Sequence, residues 1–240
     1  SHSLALTHSL THSLARSLYR SHHSRSLRRQ TDHYPSIHHP ALPRTVPGAP
    51  NWRQLHSLPL YASSVPNAEG SRRALELLQR KGHTHVIYIN LREEPVVYVC
   101  GSPYTLRNAS RPLINLNTYQ GIDPDVLEKM EERLVADVRE EALLHNGRIL
   151  LHDETDDGQV VPLWRTVDEG DVCSPLSMFK SLNVSYQRVP ITPGHAPEER
   201  DFDDIVSKLR PWLASKVRRV DRCHALLGLR LTCIVILMLS

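Results

Sequence analysis

Cysteine is scarce in this sequence: there are four in 240 residues, and no two lie closer than ten positions. No Cys-x-x-Cys pair occurs, so neither a zinc knuckle nor a disulfide framework is signalled, and a reducing, cytoplasmic setting is expected. Only three methionines are present, the first at Met130, and the chain opens on Ser1, as a processed product or a fragment of a longer reading frame would. The G-x-S-x-G elbow, the P-loop lysine motif, G-x-G-x-x-G and H-E-x-x-H are all missing, so no nucleotide, dinucleotide or zinc chemistry of those kinds is indicated and no cofactor is expected. The longest apolar run, Ala225–Leu239, is fifteen residues interrupted by Arg230. A membrane helix needs about 20, so no membrane span is expected.

Strong charge of one sign is also lacking, since the formal net charge is only +3. That figure hides a division. Residues 1–50 hold six basic side chains and one acid, and residues 216–240 hold five and one. The segment between them carries 18 basic and 24 acidic residues, a net of −6. The basic balance belongs to the ends, and the whole-chain charge is no argument for nucleic acid or an anionic membrane.

What is present at the amino end is Ser, Leu, His and Arg, with Thr-His-Ser-Leu in perfect tandem at 7–14. A four-nucleotide DNA repeat read in triplets returns to phase after twelve nucleotides and gives this unit, so translated microsatellite is the leading reading. The composition cannot offset the entropy of ordering itself. A targeting peptide and a metal-binding tract at His22-His23 and His38-His39 are the alternatives. Prolines at 35, 40, 43, 47 and 50 follow, which reads as a stiff linker with order beginning near Asn51. Residues 1–50 are therefore expected outside the fold, residues 51–216 as the module, and 217–240 as a basic then apolar tail: a buried strand or core helix, out-of-frame sequence, or a truncated anchor.

Within the module, strand and helix signals alternate. Leu58–Ala62 is a short strand, and a helix capped by Asn67 or Ser71 runs to Lys81, where Gly82 stops it. His85–Leu91 is nearly continuous and β-branched, as a strand buried on both faces should be. Val96–Cys100 and Tyr104–Arg107 flank Gly101-Ser-Pro and predict a hairpin. Asp123-Pro-Asp opens a helix whose apolar residues recur to Asn146-Gly147. Arg148–His152 and Val184–Ile191 read as strands, and Asp171–Leu182 and Glu198–Ser215 as helices, the last with Pro211 placed to kink or end it. The pattern is α/β.

Two clusters invite chemistry. Asp153-Glu154-Thr-Asp156-Asp157 has the carboxylates a hard cation takes, but Gly158 and its polar neighbours favour an exposed turn. Arg92-Glu93-Glu94 follows the central strand at its C-terminal end, where α/β sheets place ligands. Local pairing of Arg92 and phosphate binding both remain open there.

A resemblance runs through these landmarks. Asn51-Trp-Arg-Gln, Leu58-Pro-Leu-Tyr, Ile89-Asn-Leu-Arg-Glu-Glu-Pro-Val-Val-Tyr98, Arg111-Pro112, Gly147-Arg-Ile-Leu-Leu-His152 and Tyr186-Gln-Arg-Val-Pro-Ile-Thr192 resemble, in order, the paladin-like family, related to bacterial phytases of protein-tyrosine-phosphatase type. The likeness covers about 160 residues. It implies a cysteine-phosphatase-like sheet flanked by helices, acting on phosphorylated inositols or phosphoproteins. It also implies a nucleophilic Cys followed six positions later by Arg, in a loop that cradles phosphate, and an aspartic acid on a separate loop.

Neither element is found where the resemblance would place it. Six positions after Cys100, Cys173, Cys223 and Cys233 stand Leu106, Phe179, Leu229 and Leu239. Cys100 and Cys223 each have an arginine one position too late, Arg107 and Arg230. Where relatives read Ile-Thr-Asp this chain reads Ile191-Thr192-Pro193, so Pro193 holds the acid position and His195 is a weak substitute. The expectation is a module incomplete at its C-terminal end and catalytically inactive, with no metal site. The alternative is a pseudophosphatase that binds phospho-ligands through Arg92 and Arg188.

Overall fold

The protein is described by a computed structural model covering residues 27–31, 46–54, 59–112, 114–116, 119–155, 159–192, 197–217 and 232–237, with backbone alone for 211–217 and 232–237. The chain divides into two compact units, one formed by residues 1–33 and 94–175 and the other by 34–93 and 176–240.

The second unit is an α/β layer. Its strands are β2 (Arg53–Gln54), β3 (Leu60–Ser63), β4 (His85–Arg92), β10 (Ser185–Ile191) and β11 (Thr232–Leu237), in the order β10-β4-β11-β3-β2. All pairings are parallel except β2 on β3. Alternation along β4 sends Ile87 and Ile89 to one face, where Val189, Ile205 and Leu209 cover them, the last two from helix α4 (Glu199–Val217). Tyr88 points the other way and stacks on Phe179 of α3 (Pro175–Ser181), ring centroids 3.7 Å apart. Helix α1 (Ala68–Arg80) starts on Asn67, whose side chain accepts from the Gly70 amide at 2.7 Å, and buries Ala74 and Leu78.

The first unit is built on a six-stranded sheet of order β8-β7-β1-β6-β5-β9: β1 (Leu27–Thr31), β5 (Val96–Val99), β6 (Ser102–Asn108), β7 (Arg148–Glu154), β8 (Val160–Thr166) and β9 (Val172–Cys173). Helix α2 (Pro124–Leu144) has Asp123 as its cap, the carboxylate accepting from the amides of Asp125 and Val126 at 2.9 and 3.2 Å. Its face of Leu134, Val135, Val138 and Ala142 packs with Val97, Val99, Ile149 and Leu151. Each fully buried Val, Leu or Ile among them contributes roughly 1.5–3 kcal/mol.

Two expectations are corrected. Order does not wait for Asn51: Leu27–Thr31 is a strand inside the first unit's sheet, and Val46 and Ala49 are buried beside a turn at Gly48. A run as polar as Leu-Arg-Arg-Gln-Thr is held by partners far away in sequence, which composition does not reveal. Nor does the fold end at 216: of the readings open for the apolar tail, a strand is the one found, with Thr232–Leu237 paired to β3 and β4 in the middle of the parallel sheet, as a near-continuous apolar run should be. Smaller differences concern turns and helix ends. The β5–β6 turn is made by Cys100 and Gly101, both at positive φ, with Pro103 already in β6, and α4 continues through Pro211. Among the described residues no helix is long and apolar enough to cross a membrane.

Candidate functional site

The parallel strands of the second unit end together, and there the apolar alternation gives way to polar side chains. β4 closes with Asn90 and Arg92 and is followed by Glu93; β10 carries Tyr186 and Arg188 and is followed by Thr192. Register sets Arg188 beside Asn90 and Ile191 beside Arg92. The Asn90 amide donates to the Tyr186 hydroxyl at 2.9 Å, while its Oδ1 accepts from the Arg92 backbone N–H at 2.9 Å. Arg188 donates through Nη1 to the Arg92 carbonyl at 3.1 Å and through Nη2 to the Tyr186 hydroxyl at 2.6 Å. Thr192 closes the group by donating to Glu93 Oε1 at 3.0 Å.

Arg92, Glu93 and Arg188 are at most 4% exposed. Two buried guanidiniums and a buried carboxylate thus meet at the C-terminal edge of a parallel sheet, where open α/β sheets bind ligands. The two arginines singled out in the sequence are thus brought together, but as interior groups whose donors also hold the strand ends in place. Glu93 belongs to the cluster noted in the sequence, whereas Asn90, Tyr186 and Thr192 are not singled out there as site residues. The available signals were an Asn inside a β-branched run and a Tyr two positions before Arg188, on the same face of a strand. Pro193 and His195 lie outside the described residues.

Glu94, next in the chain, belongs to the first unit. There both of its oxygens accept from Arg107 Nη1, at 3.1 and 3.0 Å, and Oε1 accepts from the Leu116 amide at 2.8 Å. Burial, with the Glu94 charge second, pushes the Tyr119 hydroxyl up to about 12. The acid-rich turn after β7 separates in a similar way. Asp153 accepts from the Tyr104 hydroxyl at 3.4 Å, Glu154 accepts from Gln30, and Asp156 and Asp157 lie outside the described residues. No metal-ligand cluster forms among the described residues.

The PTP-like phytase family model, described as Inositol hexakisphosphate, matches residues 89–236, more than half of the chain. The chain belongs to the PTP-like phytase family. The match continues past Lys216, the expected end of the module, and takes in all of β11 but Leu237. Among curated proteins, this phytase-like chain is 28% identical to human Paladin over 172 residues and 30% identical to zebrafish (Danio rerio) Paladin over 175, in both cases 68% of this chain and 20% of the relative. It thus spans about a fifth of the length of these relatives. Among solved structures, the PTP-like myo-inositol phosphatase of Mitsuokella multacida, in complex with myo-inositol-(1,3,4,5)-tetrakisphosphate, aligns with a TM-score of 0.54 at 14% identity over 88% of this chain and 33% of that one. A PTP-like phytase from Bdellovibrio bacteriovorus aligns at 0.51 and 14% identity, over 88% of this chain and 62% of that one. Likeness at that identity establishes the shared fold.

Both described thiols of this phytase-like chain are pushed toward the protonated form. Cys100 sits at φ 49° in the β5–β6 turn, where shielding by the surrounding chain and then the Asp171 carboxylate push its thiol up from the ordinary value. Burial pushes Cys173 up as well. A raised pKa means less thiolate at any given pH, the reverse of what an attacking cysteine needs. Iodoacetamide is therefore expected to alkylate both more slowly than free cysteine near neutral pH, with rates still climbing above the thiol's usual pKa. Peptide mapping by mass spectrometry reads each site separately. Reaction at Cys100 faster than free cysteine would contradict the assignment.

Proposed function

We infer that these 240 residues form a paladin-type phosphatase-like module that does not itself turn over phosphate esters. One observation carries the reading: no cysteine is followed by an arginine six positions later. In cysteine phosphatases the thiolate displaces the phosphoryl group from its ester, an acid protonates the departing oxygen, and water then cleaves the phosphocysteine. The arginine of that spacing holds two phosphoryl oxygens through the transfer. Here Pro193 stands in the acid position and cannot donate a proton. The test is turnover of p-nitrophenyl phosphate and inositol hexakisphosphate by the full chain. A rate at the buffer background is expected, and turnover abolished by Cys223→Ser would sink the reading.

Binding without turnover is the second reading, supported by the joined pair Arg92 and Arg188 at the strand ends and by the inositol tetrakisphosphate held by the Mitsuokella relative. Calorimetry with inositol hexakisphosphate on the same preparation separates the two. Heat lost in Arg188→Ala supports this second reading, and no heat at millimolar ligand removes it.

A further inference from the structure

Strand β1 is held unevenly by its two neighbours in the first unit's sheet. It pairs antiparallel with β6 along its whole length, Leu27 with Asn108 through Thr31 with Tyr104, but meets β7 at a single parallel position, Gln30 with His152. Between β1 and the rest of its unit the chain passes through residues 34–93, which belong to the other unit. The occupant of the β6–β7 slot is thus separated in sequence from the rest of the unit it completes.

The slot reads side chains as well as backbone. Arg29, 7% exposed, forms a two-pronged pair with Glu141 of α2, Nη1 to Oε2 at 2.7 Å and Nη2 to Oε1 at 2.5 Å. Such a fork selects arginine over lysine by its shape. Gln30, fully buried, donates to the Pro112 carbonyl at 3.0 Å and to Glu154. The Thr31 hydroxyl accepts from the Glu154 amide at 2.9 Å. Three consecutive polar residues each meet a placed partner, in a segment with almost no apolar area of its own to bury. Added strands take affinity from main-chain hydrogen bonds and specificity from side-chain pockets.

The residues that read β1 here, Pro112, Glu141, Leu150 and Glu154, lie within the family match at 89–236, and so do the β6 and β7 strands. The strand that fills the slot lies before it. The slot lies within the matched region, and the strand that fills it comes from a basic segment earlier in the chain. We propose that the β6–β7 slot of the first unit is a peptide-binding site for extended segments of the pattern Arg-Gln-Thr, occupied in this chain by its own residues 29–31.

The probe is the fluorescein-labelled peptide Ser-Leu-Arg-Arg-Gln-Thr-Asp, the sequence of residues 26–32, titrated by fluorescence polarisation into the full chain. In the native chain the internal strand competes. In the Arg29→Ala/Gln30→Ala chain, which loses the fork and the buried amide, the peptide is expected to bind at least about tenfold more tightly than to the native chain. The same peptide carrying Ala at the position of Arg29 is expected to bind that chain about tenfold more weakly than the unaltered peptide. Equal affinity of both peptides, or no binding to either chain, overturns the site. Hydrogen exchange on the native chain guards against a variant that fails to fold. A displaceable β1 exchanges its amides at least about tenfold faster than the β7–β8 ladder, and equal protection of the two shows a strand integral to the sheet and overturns the proposal.

Discussion

Replacing Glu94 with alanine is expected to lower the unfolding free energy by about 3–5 kcal/mol, the range for breaking one side of a buried ion pair. Glu94 and Arg107 are 2% and 4% exposed. Truncating the acid would strand a guanidinium in the interior and also leave the Leu116 amide without the oxygen that accepts it at 2.8 Å. The cost arises chiefly from what remains behind. Removing both charges with shape-matched apolar groups, Glu94→Leu with Arg107→Met, is therefore expected to recover most of the loss, with the Leu116 amide accounting for the shortfall. Urea unfolding followed by far-ultraviolet circular dichroism measures both. A loss below about 1 kcal/mol for the single substitution, the size typical of a surface pair, would show that water reaches the site.

Gly70→Ala is expected to destabilise by at least about 2 kcal/mol although it lies within a helix. On propensity alone alanine would gain about 1 kcal/mol there. The sign reverses because α1 packs its first turn on the Gly48 turn: a Cβ at residue 70 would lie 2.0 Å from the Gly48 carbonyl carbon and oxygen and 2.5 Å from the Ala49 nitrogen. These are backbone atoms, and Gly48 itself is held at φ 82° with its carbonyl accepting from the Asn67 amide at 2.9 Å. Neither side can give way without uncapping the helix. Gly170→Ala is the control, since a Cβ there meets nothing within 4 Å, and it is expected to be neutral or stabilising by up to about 1 kcal/mol. Similar melting temperatures for the two variants would refute the packing argument.

The parts of this fold that were legible in the sequence are those whose signals are local. Asp123-Pro124 marks the start of α2, and the β-branched run at 85–91 lies within β4. The hairpin of β5 and β6 follows from two short strands around a glycine. What escaped depends on partners far along the chain. β1 carries no apolar alternation, and its polar residues are buried only because Glu141 and Glu154 receive them. β8 is an edge strand carrying Pro162, which argues against a strand by local rules although a sheet edge tolerates it. The Asp171–Leu182 segment read as one helix, but only Pro175–Ser181 is α-helical. The residues before it form a short 3₁₀ turn and the two-residue strand β9, which pairs with β5. At the candidate site Arg92 and Arg188 were legible one at a time. Their shared link through the Arg92 carbonyl and the Tyr186 hydroxyl required the register of β4 against β10.

The position of β11 also bears on how the chain reaches this state. β3 and β4 are close in sequence but are not neighbours in the sheet; each pairs with β11, so that Ile234 lies between Leu60 and Ile87. The middle of the parallel layer can close only after a very long loop has been drawn in, and pairing at such sequence separation is the slow step of a β-containing fold. Until then β3 and β4 each present an unpaired edge of the kind that recruits other chains. The fate of a newly made molecule, folded or aggregated, is thus a race between insertion of residues 232–237 and collision with a second copy.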